Sequence, residues 1–170
     1  MRGPIFAACL AALCASSALA QQATLKDPLL DRLVGHWVLK GLMDGSQKTH
    51  DITAEWVLAH QYIELHEVSR EKNKDGAPAY QAKVFIGWDA KLKIYDCVWL
   101  DDYGSISTQS LGYAKPSGDS IAFVFQDRDD PGKFHTTFTW RKDGTWSMDM
   151  DAESNGKLSA FARTVLTRAP

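Results

Sequence analysis

The sequence predicts an all-β fold: an antiparallel up-and-down β-barrel of about ten strands, preceded by one short N-terminal helix. Three observations carry that expectation. Apolar and polar residues alternate with period two in segment after segment from His36 to Thr167. Short turn signals such as Asp44-Gly45, Asp143-Gly144 and Asn155-Gly156 separate the segments. No connection has room for the dozen or more residues of a parallel crossover, so neighbouring strands must pair antiparallel. A meander of this many strands closes on itself because closure removes its unpaired edges.

Along the chain, residues 1–20 read as a secretory signal: a basic start at Arg2, an apolar run from Ile5 to Ala15, and a small-x-small ending at Ala18-Leu19-Ala20. The run is shorter than the roughly 20 apolar residues of a spanning helix, so export rather than anchoring is expected, with the periplasm as destination. Cleavage removes Cys9 and Cys14 and leaves Cys97, which excludes an internal disulfide. Residues 21–170 then form a single domain.

In that domain Asp27-Pro28-Leu29-Leu30 carries the one helix signal. Asp27 suits the cap, Pro28 the first helical position and Gly35 the exit. Strands are predicted at 36–43, 51–58, 62–71, 80–88, 93–100, 105–114, 120–126, 134–140, 145–152 and 158–167. The 170 residues carry 19 Lys plus Arg against 21 Asp plus Glu, a net charge of −2. That leaves no basic surplus for a phosphate backbone, so nucleic acid is not an expected partner. With charged residues at 24% and apolar ones at 45%, the chain is also not of disordered composition.

Gly35-His36-Trp37, directly after a short helix and opening the first strand of a meander, resembles the Gly-x-Trp signature of lipocalins and their fatty-acid-binding relatives. The resemblance implies that Gly35 and Trp37 form the barrel floor under an Arg from the last strand. Arg168 is the first match for that Arg and Arg163 the second. A closer set is Leu33-Val34-Gly35-x-Trp37, Glu55-Trp56-Val57-Leu58, Gly87-Trp88-Asp89 with Tyr95, and Trp99-x-Asp101-x-x-Gly104. In order and spacing it resembles an exported bacterial family of lipocalin-like barrels of unknown function. Ala59-His60-Gln61 departs from the Gly-Gly-Arg that such relatives tend to carry. The resemblance implies a fold and an envelope location, not an activity.

Candidate ligand-binding residues are the aromatics and methionines assigned to the inner wall: Trp56, Tyr62, Tyr80, Trp88, Trp99, Trp140, Met148 and Met150. Core packing alone would produce the same pattern. A cavity for a small hydrophobic molecule is the functional alternative. Glu64 and His66 share one face of a strand and would form an acid–base pair if that face were inner, giving an enzyme acting on an apolar substrate. The apolar Ile63 and Leu65 on the opposite face favour an outer placement instead. A third expectation is a packed structural or interaction protein without ligand.

No cofactor is expected. The five histidines match no metal-ligand spacing. Haem held by His135 would require that residue to point inward, whereas Phe134, Thr136, Phe138 and Trp140 alternate against it. No Gly-x-Ser-x-Gly elbow or phosphate-binding Gly loop is present.

Overall fold

The structure is a computed structural model that describes residues 24–104, 110–126 and 132–170. The signal read at 1–20, the first half of the strand read at 105–114, and most of the turn read after Gln126 lie outside the described residues.

One short helix, α1 (Pro28–Asp31), precedes the strands. They are β1 (Gly35–Met43), β2 (Ser46–Val57), β3 (Tyr62–Ser69), β4 (Gln81–Asp89), β5 (Ile94–Asp101), β6 (Leu111–Ala114), β7 (Pro116–Ser117), β8 (Ser120–Gln126), β9 (Lys133–Trp140), β10 (Trp146–Ser154) and β11 (Lys157–Arg168). Each pairs antiparallel with its sequence neighbours, except that β6 pairs with β8, and β7 is a two-residue stub on β8. Pairing of β1 with β11, Trp37 opposite Arg168, completes a closed barrel of ten strands. Pairing the first strand with the last removes the free edges that an open sheet would present there.

The turns explain the register. Asp44 and Gly45 both take positive φ, +47° and +71°, as do Asn155 and Gly156 at +52° and +73°. Two such residues make the tight hairpin turn whose twist matches the strands. The first turn pins Met43 opposite Ser46, so β2 starts five residues earlier than the alternation at Asp51 suggests. At its other end β2 stops at Val57. Leu58, Ala59 and His60 form a left-handed turn (φ +50°, +55° and +63°), and Leu58 is exposed instead of continuing the inner face. His60 stacks on Trp56 with ring centroids 4.1 Å apart.

Alternate residues of the ten ring strands fill the interior, with Leu39, Ile52, Ile63, Ile86, Phe123, Phe138 and Met148 fully buried. Trp37 and α1 close one end. The Trp37 indole N–H donates to the Leu33 carbonyl at 2.6 Å, and the Arg168 guanidinium lies 3.9 Å over its ring. That guanidinium also donates to the Val34 and Arg32 carbonyls at 2.6 and 3.2 Å, joining the exit of α1 to the last strand. Gly35 sits beneath it at φ +131°, where an added Cβ would come within 2.0 Å of Arg168 Nη1. A side chain at 35 would therefore displace the arginine. Asp27 caps α1 through the Leu29 and Leu30 amides and accepts a 2.6 Å bond from the Tyr95 hydroxyl, docking the helix on the wall.

Candidate functional site: the open end of the barrel

At the end opposite Trp37 the inner side chains leave a cavity of about 560 Å3. Its apolar wall comes from Met43, Trp99, Phe125, Phe134, Met150 and Phe161, and its polar groups from His50, Glu67, Ser69, Tyr80, Ser110 and Thr136. Lys48, Asp44, Asp101 and Tyr103 also line it. A largely apolar hollow with a few convergent polar groups is the usual build of a small-molecule site.

The polar groups arise from strand parity. On β2 the inward set is His50, Ile52 and Ala54; on β3 it is Ile63, Leu65, Glu67 and Ser69. Pairing sets His50 opposite Ser69 and Ile52 opposite Glu67, so His50 and Glu67 are diagonal neighbours on one inner face. His50 Nδ1 bonds Glu67 Oε1, and each residue is only 2% exposed. Glu71 Oε2 stands 4.0 Å from the other ring nitrogen, Nε2. The Ser69 hydroxyl and the Thr49 amide donate to Glu71 at 2.9 and 3.0 Å. Burial pushes the Glu71 carboxyl upward, but these hydrogen bonds and the nearby imidazole outweigh it and hold it below the ordinary value.

Tyr80 stacks against His50, ring centroids 5.8 Å apart, and its hydroxyl accepts the Trp99 indole N–H at 3.0 Å. Burial, reinforced by the negative charges of Glu67, Asp101 and Asp102, pushes the Tyr80 hydroxyl well above its ordinary value, so it stays protonated. Burial likewise raises the Asp101 carboxyl, against the amide of Tyr103 that bonds it.

Of the eight aromatic and methionine candidates, Tyr80, Trp99 and Met150 line the cavity. Met148 shares the face of Met150 but is sealed in the core one layer deeper. Trp56, Trp88 and Trp140 belong to the closed end. Trp56 donates to Asp31 of α1 at 2.9 Å, Trp88 packs edge-on to Tyr95, and Arg32 lies over Trp140. Tyr62 stands on the outer wall with its ring over Gly87, where a Cβ would meet it at 2.6 Å.

The acid–base expectation at Glu64 and His66 is corrected. Ile63 and Leu65 take the inner face, so both polar residues face out, and Glu64 pairs with Lys83 at 2.5 Å. The inner carboxylate and imidazole are instead Glu67 and His50. Arg163 bonds Asp151 and the Met150 carbonyl rather than covering Trp37. His135 bonds Glu153 at 2.7 Å on the outer wall, away from the hollow. Cys97 is buried, and its thiol is pushed far above its ordinary value by that burial, which leaves it inert as a nucleophile.

His50 and Glu67 were missed for a specific reason. The polar run Ser46-Gln47-Lys48-Thr49-His50 reads as a loop until the Asp44-Gly45 turn is known to pair it with β1. Glu67 needed only the parity of Ile63 and Leu65 extended by one step. No protein-family model matches this chain, and no curated protein sequence matches it.

Proposed function

We propose that this protein is an exported, lipocalin-like carrier that holds a small hydrophobic molecule in the open end of its barrel. The observation that carries the reading is the hollow of about 560 Å3 above a sealed floor. A packed structural barrel would have no reason to leave that volume unfilled, since interiors otherwise reach crystal-like density. The aromatic wall offers apolar contact, and the Tyr80 hydroxyl offers one oriented anchor. The signal-like residues 1–20 support a periplasmic location. The outward positions Asp51, Glu55, Glu64 and Lys83 support a barrel in water, because a lipid-facing wall would be apolar.

The experiment is a titration of intrinsic Trp fluorescence with dodecanoic acid and with 1-dodecanol. Trp99 is the cavity's indole, while Trp37, Trp56, Trp88, Trp140 and Trp146 sit toward the floor. The expected result is saturable quenching in the wild type that is lost in Trp99→Phe. Flat titrations across these and other apolar ligand classes contradict the proposal.

A further inference from the structure

We propose that His50, held by Glu67, is a proton-transfer site acting on an enolisable ketone bound in the cavity, with Tyr80 donating a hydrogen bond to the carbonyl oxygen. This rests on the reading of the cavity as a ligand site. It adds a reaction and a substrate class to that reading.

A buried carboxylate–imidazole pair is a poor way to stabilise a barrel. Desolvating the two groups costs about as much as their attraction returns, and apolar residues of the same size do as well or better. Here the pair lies in the wall of a hollow, where such groups can act on a ligand. The bond from Glu67 Oε1 to Nδ1 orients the ring. In the tautomer with its proton on Nδ1, Nε2 carries the lone pair, and no hydrogen bond among the described residues occupies it, Glu71 standing 4.0 Å off. That is the arrangement of an oriented base.

Tyr80 supplies the complementary group. It is stacked on the base, and its oxygen accepts from Trp99, so its own proton is the one left to donate. Base and donor then share one aromatic-walled space. Ser69, opposite His50 in the strand pair, is not set up as a nucleophile, because its hydroxyl donates to Glu71.

The step balances without any co-reactant. A C–H bond next to the carbonyl breaks, its proton goes to His50 Nε2, and its electron pair becomes the C=C bond of an enolate. The developing oxyanion takes the hydrogen bond from Tyr80 Oη. Return of a proton from His50 to carbon regenerates the ketone, and after exchange of the imidazolium with solvent that proton is solvent-derived.

The test is deuterium uptake at the carbon beside the carbonyl of 1-tetralone in D2O, followed by proton NMR, with binding measured separately through Trp fluorescence. The wild type is expected to accelerate exchange at least ~100-fold over buffer. His50→Gln is expected to lose that acceleration. Glu67, a positioning residue, is expected in Glu67→Gln to lower the rate at saturating ketone while leaving ketone affinity unchanged, a split that a structural role would not give. Tyr80→Phe leaves the buried pair intact, serves where His50→Gln does not fold, and is expected to slow exchange roughly tenfold or more. The outer-wall control His66→Gln keeps the wild-type rate.

Binding of 1-tetralone with exchange at the buffer rate, or equal rates in wild type and Tyr80→Phe, overturns the proton-transfer site and leaves the carrier reading standing. Binding of 1-dodecanol without binding of 1-tetralone overturns the ketone assignment alone. Absence of binding by every probe overturns both.

Discussion

The two ends of this barrel are built from the same inward parity yet reach opposite outcomes. At the closed end Trp37, Trp146, Leu30 and Leu33 are buried, and the polar atoms there are spent on caps and cross-strand ties: Asp27 to α1 and Tyr95, Arg168 to the Val34 and Arg32 carbonyls. At the open end the inward positions carry His50, Glu67, Ser69 and Thr136 beside a hollow. Rings and methyl groups in the first case remove water; polar groups in the second require either partners or a ligand. The barrel thus separates a stabilising end from a recognising end along one axis.

The largest effect that would break this contrast is at the floor. Trp37→Ala is expected to cost about 3–5 kcal/mol in urea unfolding, the range for truncating a fully buried Trp. A loss under about 1 kcal/mol would mean that the floor is not the stabilising end.

A sharper comparison uses two methionines on one face of β10. Met148 lies in closed core and Met150 borders the hollow. Met148→Trp is expected to overpack and cost about 1–3 kcal/mol, whereas Met150→Trp grows into free volume and costs less than about 1 kcal/mol. The second variant should also weaken binding of 1-dodecanol at least tenfold. Equal costs at the two sites would erase the distinction between the ends.

The same chain shows how far sequence reasoning reaches. The barrel, the helix cap and the hairpins were legible because each rests on local chemistry: period two, Asp27-Pro28, Asp-Gly and Asn-Gly. In-or-out was also legible for most strands, as Tyr80, Trp88, Trp99, Trp140, Met148 and Met150 illustrate. Height along the axis was not. Trp56, Trp88 and Trp140 sit near α1 while Trp99 and Met150 sit at the mouth, and that division depends on strand stagger set by long-range register. The polar centre was hidden for the same reason, since His50 becomes an inner residue only once Met43 is fixed opposite Ser46.

A smaller effect tests the turn after β2. Ala59 holds φ +55° between two other non-glycine residues of the same hand. Ala59→Gly should relieve that strain and raise stability by about 0.5–1 kcal/mol in thermal unfolding. A decrease would show the left-handed turn to be unstrained.

The smallest effect concerns acid. Glu71 titrates below its ordinary value of 4.5, so its contribution is present above that pH and lost as pH falls through the lowered folded value. Asp51, bonded by Arg70, and Glu153, bonded by His135, act in the same direction. Melting temperature should therefore fall as the pH drops below about 4.5, and Glu71→Gln should make that fall shallower. An unchanged slope in Glu71→Gln would remove Glu71 from the acid response.

Fluorine NMR of protein labelled with 5-fluorotryptophan interrogates both ends at once, because the six indoles are divided between them. With resonances assigned by single Trp→Phe variants, saturating 1-dodecanol is expected to shift Trp99 while Trp37 and Trp146 stay fixed. Movement of the Trp37 signal, or no movement of Trp99, would contradict a barrel that is sealed below and receptive above.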